Sequence, residues 1–446
     1  MKAIRWMASF PVLAALWLSL ASVAPVLAQE ANCSGPGQHY TMAEYNSYQA
    51  AAAEKNPAAQ IKLLDDFAAK YPASCLANYI YPLYYKNYYG QKNFPKAIEY
   101  ADKMVALGDR VTPGEKYEAY YVRAYSFQSV ATPDAASAKA ARDAALAGLK
   151  TLDQVPKPDG VDQVKFDADK KQSQLLFNGT AANAAMAAKD YPAAIESFKA
   201  VLALAPDDLV SNYKIGQAYT AMAPPQPLDA LWYFARAATS KSANEQQAKQ
   251  IKAYVRKLIL NYQGGTVCDA LTDAEMNELL QLAPNSMDRP ASYKLYSSAD
   301  LDGARKDMTI ASVVTDLKAG GDKAKLTWTA SCGLEFPDVP GKLIDITPGA
   351  DAINVKTAFV TTDAEFEAAT TPNMDVTIKT ADQPDAAKLE KGNPVRFTGT
   401  LESYDPDPAF MLHWDKAKVN EEDLPKKGPE KKPAAKKPAA KKPGTK

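Results

Sequence analysis

Asp190-Tyr191-Pro192-Ala193-Ala194-Ile195 closes a turn and opens a helix that continues through Phe198, Val201, Leu202 and Leu204 to Ala205-Pro206. A second unit follows with Ile215-Gly216, Tyr219, Ala230, Phe234 and Ala237. Small residues on one helix let the backbone of the next approach, and aromatic residues fill the space beside them. Working outward, Asn93-Phe94-Pro95-Lys96-Ala97-Ile98-Glu99 mirrors the opening motif about a hundred residues earlier. Pro57-Ala58-Ala59-Gln60-Ile61-Lys62, followed by Phe67 and Tyr71-Pro72, reads as the second helix of a still earlier unit. Lys116 to Leu152 supplies another pair, broken at the helix-starting turn Thr132-Pro133-Asp134. The pattern predicts about five helix pairs between 40 and 240, with helices over Glu245–Tyr262 and Thr272–Leu282 capping the stack.

The two best units resemble the tetratricopeptide repeat family, whose 34-residue pattern asks for small residues and aromatics at set positions. Ala182, Tyr191, Ala194, Phe198 and Pro206 match in the first unit. Gly216, Tyr219, Ala230, Phe234 and Ala237 match in the second if Pro224-Pro225-Gln226-Pro227 lengthens its turn. In the upstream unit Tyr85 stands where a small residue belongs. The resemblance implies a groove lined by the first helix of each pair, for a protein or peptide partner. Its register places Tyr79, Pro82, Lys86 and Tyr89 there, then Asn183 and Met186, then Tyr213, Gln217 and Thr220, with Tyr121 and Tyr125 as companions. The family's carboxylate clamp is not reproduced, so capture of a peptide C-terminus is not implied. Eleven of the 24 tyrosines lie between 79 and 125. Tyr81, Tyr84 and Tyr88 share one helical face, so two readings stand: packing of helix on helix, or recognition through a wide apolar ring with a polar tip.

After Pro284 the pattern changes. Period-two alternation predicts strands at Leu326–Ala330, Ile353–Phe359, Met374–Ile378, Val395–Gly399 and Phe410–Trp414, with a helix over Met308–Ala319. These elements suggest a small barrel or sandwich, and Gly392–Val419 resembles the last hairpin of bacterial OB-like modules. The fold class expected is mainly α: a tetratricopeptide-like α-solenoid, then a small β-barrel or sandwich. The segments are 1–28, a signal peptide; 29–286, the helical repeats; 287–424, the β-rich module; and 425–446, a basic tail. That tail repeats Lys-Lys-Pro-Ala-Ala and has nine lysines against Glu430, with no large apolar side chain to order it. The net charge of zero conceals this asymmetry, since residues 29–424 hold 41 basic and 51 acidic side chains.

Lys2 and Arg5, the apolar run Val12–Leu18 and Val26-Leu27-Ala28 before Gln29 have the layout of a secretory signal. The expected localisation is exported, periplasmic or extracellular, with no membrane anchor after cleavage. Export in turn suggests that Cys33, Cys75, Cys268 and Cys332 form two disulfides, against the alternative of four buried thiols. Pairing within each structural unit favours Cys33–Cys75 and Cys268–Cys332.

Motifs for chemistry are missing. His39 and His413 have no second imidazole or cysteine at metal-ligand spacing, and no nucleophile elbow, phosphate loop or dinucleotide fingerprint occurs. His413 alternates with Leu412 and Trp414, which places it on the outer face of a strand. Asp300-Leu301-Asp302-Gly303 has part of a calcium-loop spacing, but Ser298 and Thr309 stand at its first and twelfth ligand positions, so it reads as a turn. No catalytic residue, cofactor, metal or small-molecule substrate is expected. The reading is a non-enzymatic exported interaction protein. One alternative is a polyanion-binding envelope protein acting through its lysine-rich tail. Another is an enzyme with two close carboxylates in the β module near Trp328 or Trp414.

Overall fold

Polar side chains that accept from free backbone N–H groups start most of the helices, and proline often follows in the first turn. In the computed structural model, which describes Cys33, residues 39–130 and residues 132–425, Thr41 opens α1 (Met42–Ala53) and Asn56 opens α2 (Pro57–Lys70). Asn93 opens α4 (Phe94–Val105) after α3 (Ala77–Gly90), and Thr112 opens α5 (Pro113–Phe127). Then come α6 (Ala135–Leu152) and α7 (Gln163–Ala187). Asp190 opens α8 (Tyr191–Leu204), and Asp208 opens α9 (Leu209–Ala221), which precedes α10 (Pro227–Ala238). Five helix pairs thus lie between 40 and 240, as the repeat spacing requires, and α11 (Glu245–Tyr262) and α12 (Asp269–Leu282) follow them. The expected signal segment and all of the tail beyond Pro425 lie outside the described residues.

The chain divides into two compact units. The first comprises residues up to 132 together with 143–177. Its core joins Ala51, Leu64, Phe67, Leu76, Ile80 and Tyr84, and beside it Tyr85 is sealed among Ala101, Met104, Val111 and Ala119. Tyr85 therefore fills the small-residue position by burying its whole ring. Gly148 has the opposite role: a Cβ there would meet the Phe177 ring at 2.5 Å. The second unit comprises 133–142 and everything from 178 onward. Here a Cβ on Gly216 of α9 would meet Phe234 of α10 at 2.9 Å, so at this site glycine lets the ring pack against the helix backbone. Arg236 of α10 is buried and donates to Asn212 Oδ1 at 2.8 Å and to the carbonyl of Ala283 at 3.0 Å. The segment after α12 is latched back by Arg289–Asp229 at 3.0 Å and by the Tyr233 hydroxyl donating to Asp288 at 2.9 Å.

Three helices, α13 (Ser298–Arg305), α14 (Ile310–Ala319) and α15 (Gly321–Ser331), lead to a closed barrel. Its strands are β1 (Glu335–Thr347), β2 (Ala352–Phe359), β3 (Met374–Lys379), β4 (Pro394–Asp405) and β5 (Met411–Val419). They follow the order β1-β2-β3-β5-β4, antiparallel except for β3 with β5, and β4 returns to β1. A short helix, α16 (Asp363–Ala368), connects β2 to β3. Order and pairing fit the OB-like reading of the closing segment. Alternate residues point inward, so Val355, Val376, Phe397, Leu412 and Trp414 form the core, with Val313, Val314 and Leu317 of α14 packed against it.

Three expectations are corrected. Residues 326–330 belong to α15, not to a strand. A Thr-x-Thr alternation of five residues also fits about one and a half helical turns. The hydroxyls are satisfied there, Thr329 by the carbonyl of Lys325 at 2.8 Å and Thr327 by Asp316 at 3.0 Å. The missing fifth strand is β1, hidden by Pro337, Pro340 and Gly341. The ladder to β4 shifts register between Phe336 and Val339, and Asp338 takes φ 51° inside that bulge. Lastly, Asp300 lies in α13 and closes a capping box with Ser297, so this carboxylate caps a helix and is not part of a loop turn.

Gly216 and Gly179 differ in what a methyl group would meet. Gly216→Ala should destabilise the chain by about 1–2 kcal/mol, because overpacking against Phe234 outweighs the helix-propensity gain. Gly179→Ala in α7, where a Cβ would meet nothing within 4 Å, should stabilise it slightly. Urea unfolding of both variants checks the pair, and equal effects would contradict the packing account.

Candidate functional site

Tyrosines in the first unit separate into two groups by helix face. Tyr81, Tyr84 and Tyr88 of α3 turn toward α4. Tyr84 stacks on Tyr100 at 3.9 Å and donates to Asp65 at 2.8 Å, and Tyr88 lies 5.7 Å from Tyr100. Burial above all, then the Asp65 bond, raises the Tyr84 phenol far above its ordinary range. These rings hold hairpin to hairpin.

The other face of α3 carries Tyr79, Lys86 and Tyr89. Tyr79 meets Tyr48 of α1 at 5.8 Å, and Tyr48 continues through Tyr45 at 6.2 Å to Tyr40. Tyr89 meets Tyr125 of α5 edge-on at 5.5 Å, and Lys86 pairs with Glu118 of α5 at 2.7 Å. Burial, then the Tyr125 hydroxyl, pushes the Tyr89 phenol up. Tyr121 lies between Tyr117 at 6.1 Å and Phe177 at 6.5 Å. Tyr79, Tyr121 and Tyr125 keep 51%, 37% and 44% of their surface exposed. At the Tyr79 end a cavity of about 520 Å³ is lined by Tyr40, Asn78, Arg110 and the Cys33–Cys75 disulfide. Tyr79, Lys86 and Tyr89 from the repeat register lie on α3, and their companions Tyr121 and Tyr125 lie on α5, which α3 meets through Tyr89–Tyr125 and Lys86–Glu118. The register missed Tyr45 and Tyr48, which stand three apart in α1 and were legible once a first helix was granted.

Asn183, Tyr213 and Gln217 belong to the second unit. Asn183 is exposed on α7, with its amide donating to the carbonyl of Gly179 at 2.9 Å. Tyr213 lines a cleft of about 410 Å³ with Leu209, Val210 and Lys214 of α9 and Gln247, Gln250, Ile251 and Tyr254 of α11. Phe234 wedges behind it, 5.2 Å from Tyr213 and 5.1 Å from Tyr254. Gln217 is half-buried on α9, outside the cleft lining. The contribution of α11 was missed because that helix read as a cap.

The cysteines pair as Cys33–Cys75, with Cα atoms 5.4 Å apart, and Cys268–Cys332, 5.5 Å apart. Disulfides point to a non-cytoplasmic environment. No helix among the described residues is long and apolar enough to cross a membrane. On the barrel exterior His413 Nε2 lies 2.8 Å from Asp405, and Nδ1 lies 3.9 Å from Asp375. Among the described residues no three His, Cys, Asp or Glu side chains are placed to hold a metal.

The sequence matches no protein-family model and no curated protein. The structure is similar to the crystal structure of the C-terminal part of a TPR repeat-containing protein from Cytophaga hutchinsonii. That similarity has 15% identity, spans 55% of this chain and 95% of that one, and gives a TM-score of 0.24. At that score the likeness supports nothing about function.

The division of tyrosines has a chemical consequence. Brief nitration should modify Tyr79, Tyr121 and Tyr125 well before Tyr84, Tyr85 and Tyr233, each of which is at most 1% exposed. Peptide mass spectrometry reads the order, and early modification of the second group would contradict the assignment of faces.

Proposed function

We propose that the chain is an exported, non-enzymatic scaffold that binds a segment of a protein partner along the tyrosine-bearing face of its first unit. The observation carrying this reading is the exposure of Tyr79, Tyr121 and Tyr125 on helices already linked by the contacts Tyr48–Tyr79 and Tyr89–Tyr125. Rings held by their neighbours lose little side-chain freedom on binding, which favours them as anchors. The charge on Lys86 is already answered by Glu118, so the face favours apolar and hydrogen-bonding partner groups over strongly charged ones. The cleft between α9 and α11 offers the second unit an apolar recess of its own.

The lysine-rich tail supports a second reading, attachment to an anionic envelope polymer. Such binding would rest on charge alone and would fade at moderate salt.

A displayed peptide library panned against the chain ending at Pro425 tests the main reading. Selected peptides should lose at least about tenfold in affinity, roughly 1.4 kcal/mol, when Tyr79, Tyr121 and Tyr125 are all changed to alanine, with the helical circular dichroism unchanged. Undiminished affinity in that variant would refute the tyrosine face. Loss of polyanion retention on removing 426–446, with peptide binding intact, would assign the tail its separate role.

A further inference from the structure

The inward stripe of α12 is Thr272, Glu275 and Leu279, which puts a carboxyl group where an apolar side chain is expected. Glu275 is 4% exposed, and Gln263, just beyond α11, is 0% exposed. Gln263 Nε2 donates to Glu275 Oε2 at 2.8 Å. Among the described residues, the remaining oxygens of the pair, Glu275 Oε1 and Gln263 Oε1, have no hydrogen-bond partner, and neither does the buried hydroxyl of Tyr293 nearby. A carboxylate oxygen and an amide carbonyl oxygen are both acceptors, so neither can satisfy the other. Turning the amide over does not help, because it would aim the carbonyl oxygen at the carboxylate. A proton on Glu275 Oε1 turns that oxygen from an acceptor into a donor.

We propose that Glu275 is a carboxylic acid in the folded chain, with its Oε1 proton donated to Gln263 Oε1. This closes a two-bond acid–amide ring and makes the corner between α11 and α12 a proton-binding site. The proton comes from solvent, and no other bond changes. The groups facing Glu275 agree with this. Burial is the largest influence and raises its pKa to about 7; the Gln263 bond and Lys325 of α15 pull it down, while Glu278 on the same helix pushes it up. Lys325 is committed to Glu278 at 3.8 Å. From the following loop, Tyr293 presents a phenol that is itself raised, by burial first and then by Glu275 and Glu278. The corner is tied to the barrel module, because α12 starts at Cys268 and Cys332 ends the stretch that precedes β1.

The sign follows from which state holds the proton. The folded chain keeps it up to about pH 7, while the unfolded chain releases it near the ordinary glutamate value of 4.5. The folded state therefore binds more protons between these values, so stability falls as pH rises through that window and levels off above it. The whole effect is a roughly 300-fold loss in the folding equilibrium constant.

Carbon-13 NMR of the full chain labelled at glutamate Cδ should show one carboxyl titrating near pH 7, apart from the rest. Glu275→Gln should remove that resonance. The same variant should flatten the pH dependence of urea unfolding and be at least as stable as the parent at pH 8, since its N–H replaces the acid O–H. Tyr293→Phe leaves the pair in place and should shift the same resonance, so the assignment does not depend on the glutamine variant folding. If no glutamate titrates above about pH 5.5, the proposal is wrong. A glutamine variant that folds but is weaker than the parent at pH 8 would overturn it too.

Discussion

A buried guanidinium organises the helical part of the second unit. Arg236 extends from α10 into a site walled by Asn212 of α9, the carbonyl of Pro206 before it, and the carbonyls of Ala283 and Ser286 beyond α12. Burial costs the charge its hydration, and that cost draws its pKa below the ordinary value. Four oxygen dipoles replace the lost water. Because they come from separate segments, the arginine can be satisfied only when those segments are all in place. The orientation of α10 that results also brings Phe234 over Gly216 and sets the wall behind Tyr213 and Tyr254.

The same logic of satisfaction explains why one residue type has two roles in the first unit. A tyrosine inside a hairpin needs both ring neighbours and a partner for its hydroxyl, and Tyr84 has both in Tyr100 and Asp65. On the opposite face of α3, Tyr79 touches Tyr48 and Tyr89 touches Tyr125, and Tyr79 still keeps half of its surface exposed. The helical period of 3.6 residues separates the groups. Positions 81, 84 and 88 fall toward α4, and 79, 86 and 89 fall on the side shared with α1 and α5. Packing rings and exposed rings are therefore both present in the tyrosine-rich stretch, on different faces of one helix.

The legible parts were those where local chemistry and tertiary role agree. Asp190, Asn93 and Thr112 start helices by their own side chains, and the period of four of the five strands survived in the barrel. The illegible parts were those where a partner overrides local preference. Pro337 and Pro340 argue against a strand, yet β1 is held by β2 on one side and β4 on the other, and its bulge absorbs the irregular stretch. Leu326–Ala330 alternates like a strand but sits in a helix whose hydroxyls find carbonyl and carboxylate acceptors.

By itself the sequence determined the number of hairpins, because the small and aromatic positions that repeat along it leave few other ways to pack helices. It also determined the faces of the tyrosines, which follow from spacing alone. Only the tertiary structure decided which rings stay exposed, that α11 helps to form a cleft, and that Glu275 lies against Gln263 away from water. Those outcomes depend on groups brought together from distant positions, and the cost of burying a polar atom is set by what surrounds it, which a linear pattern does not record.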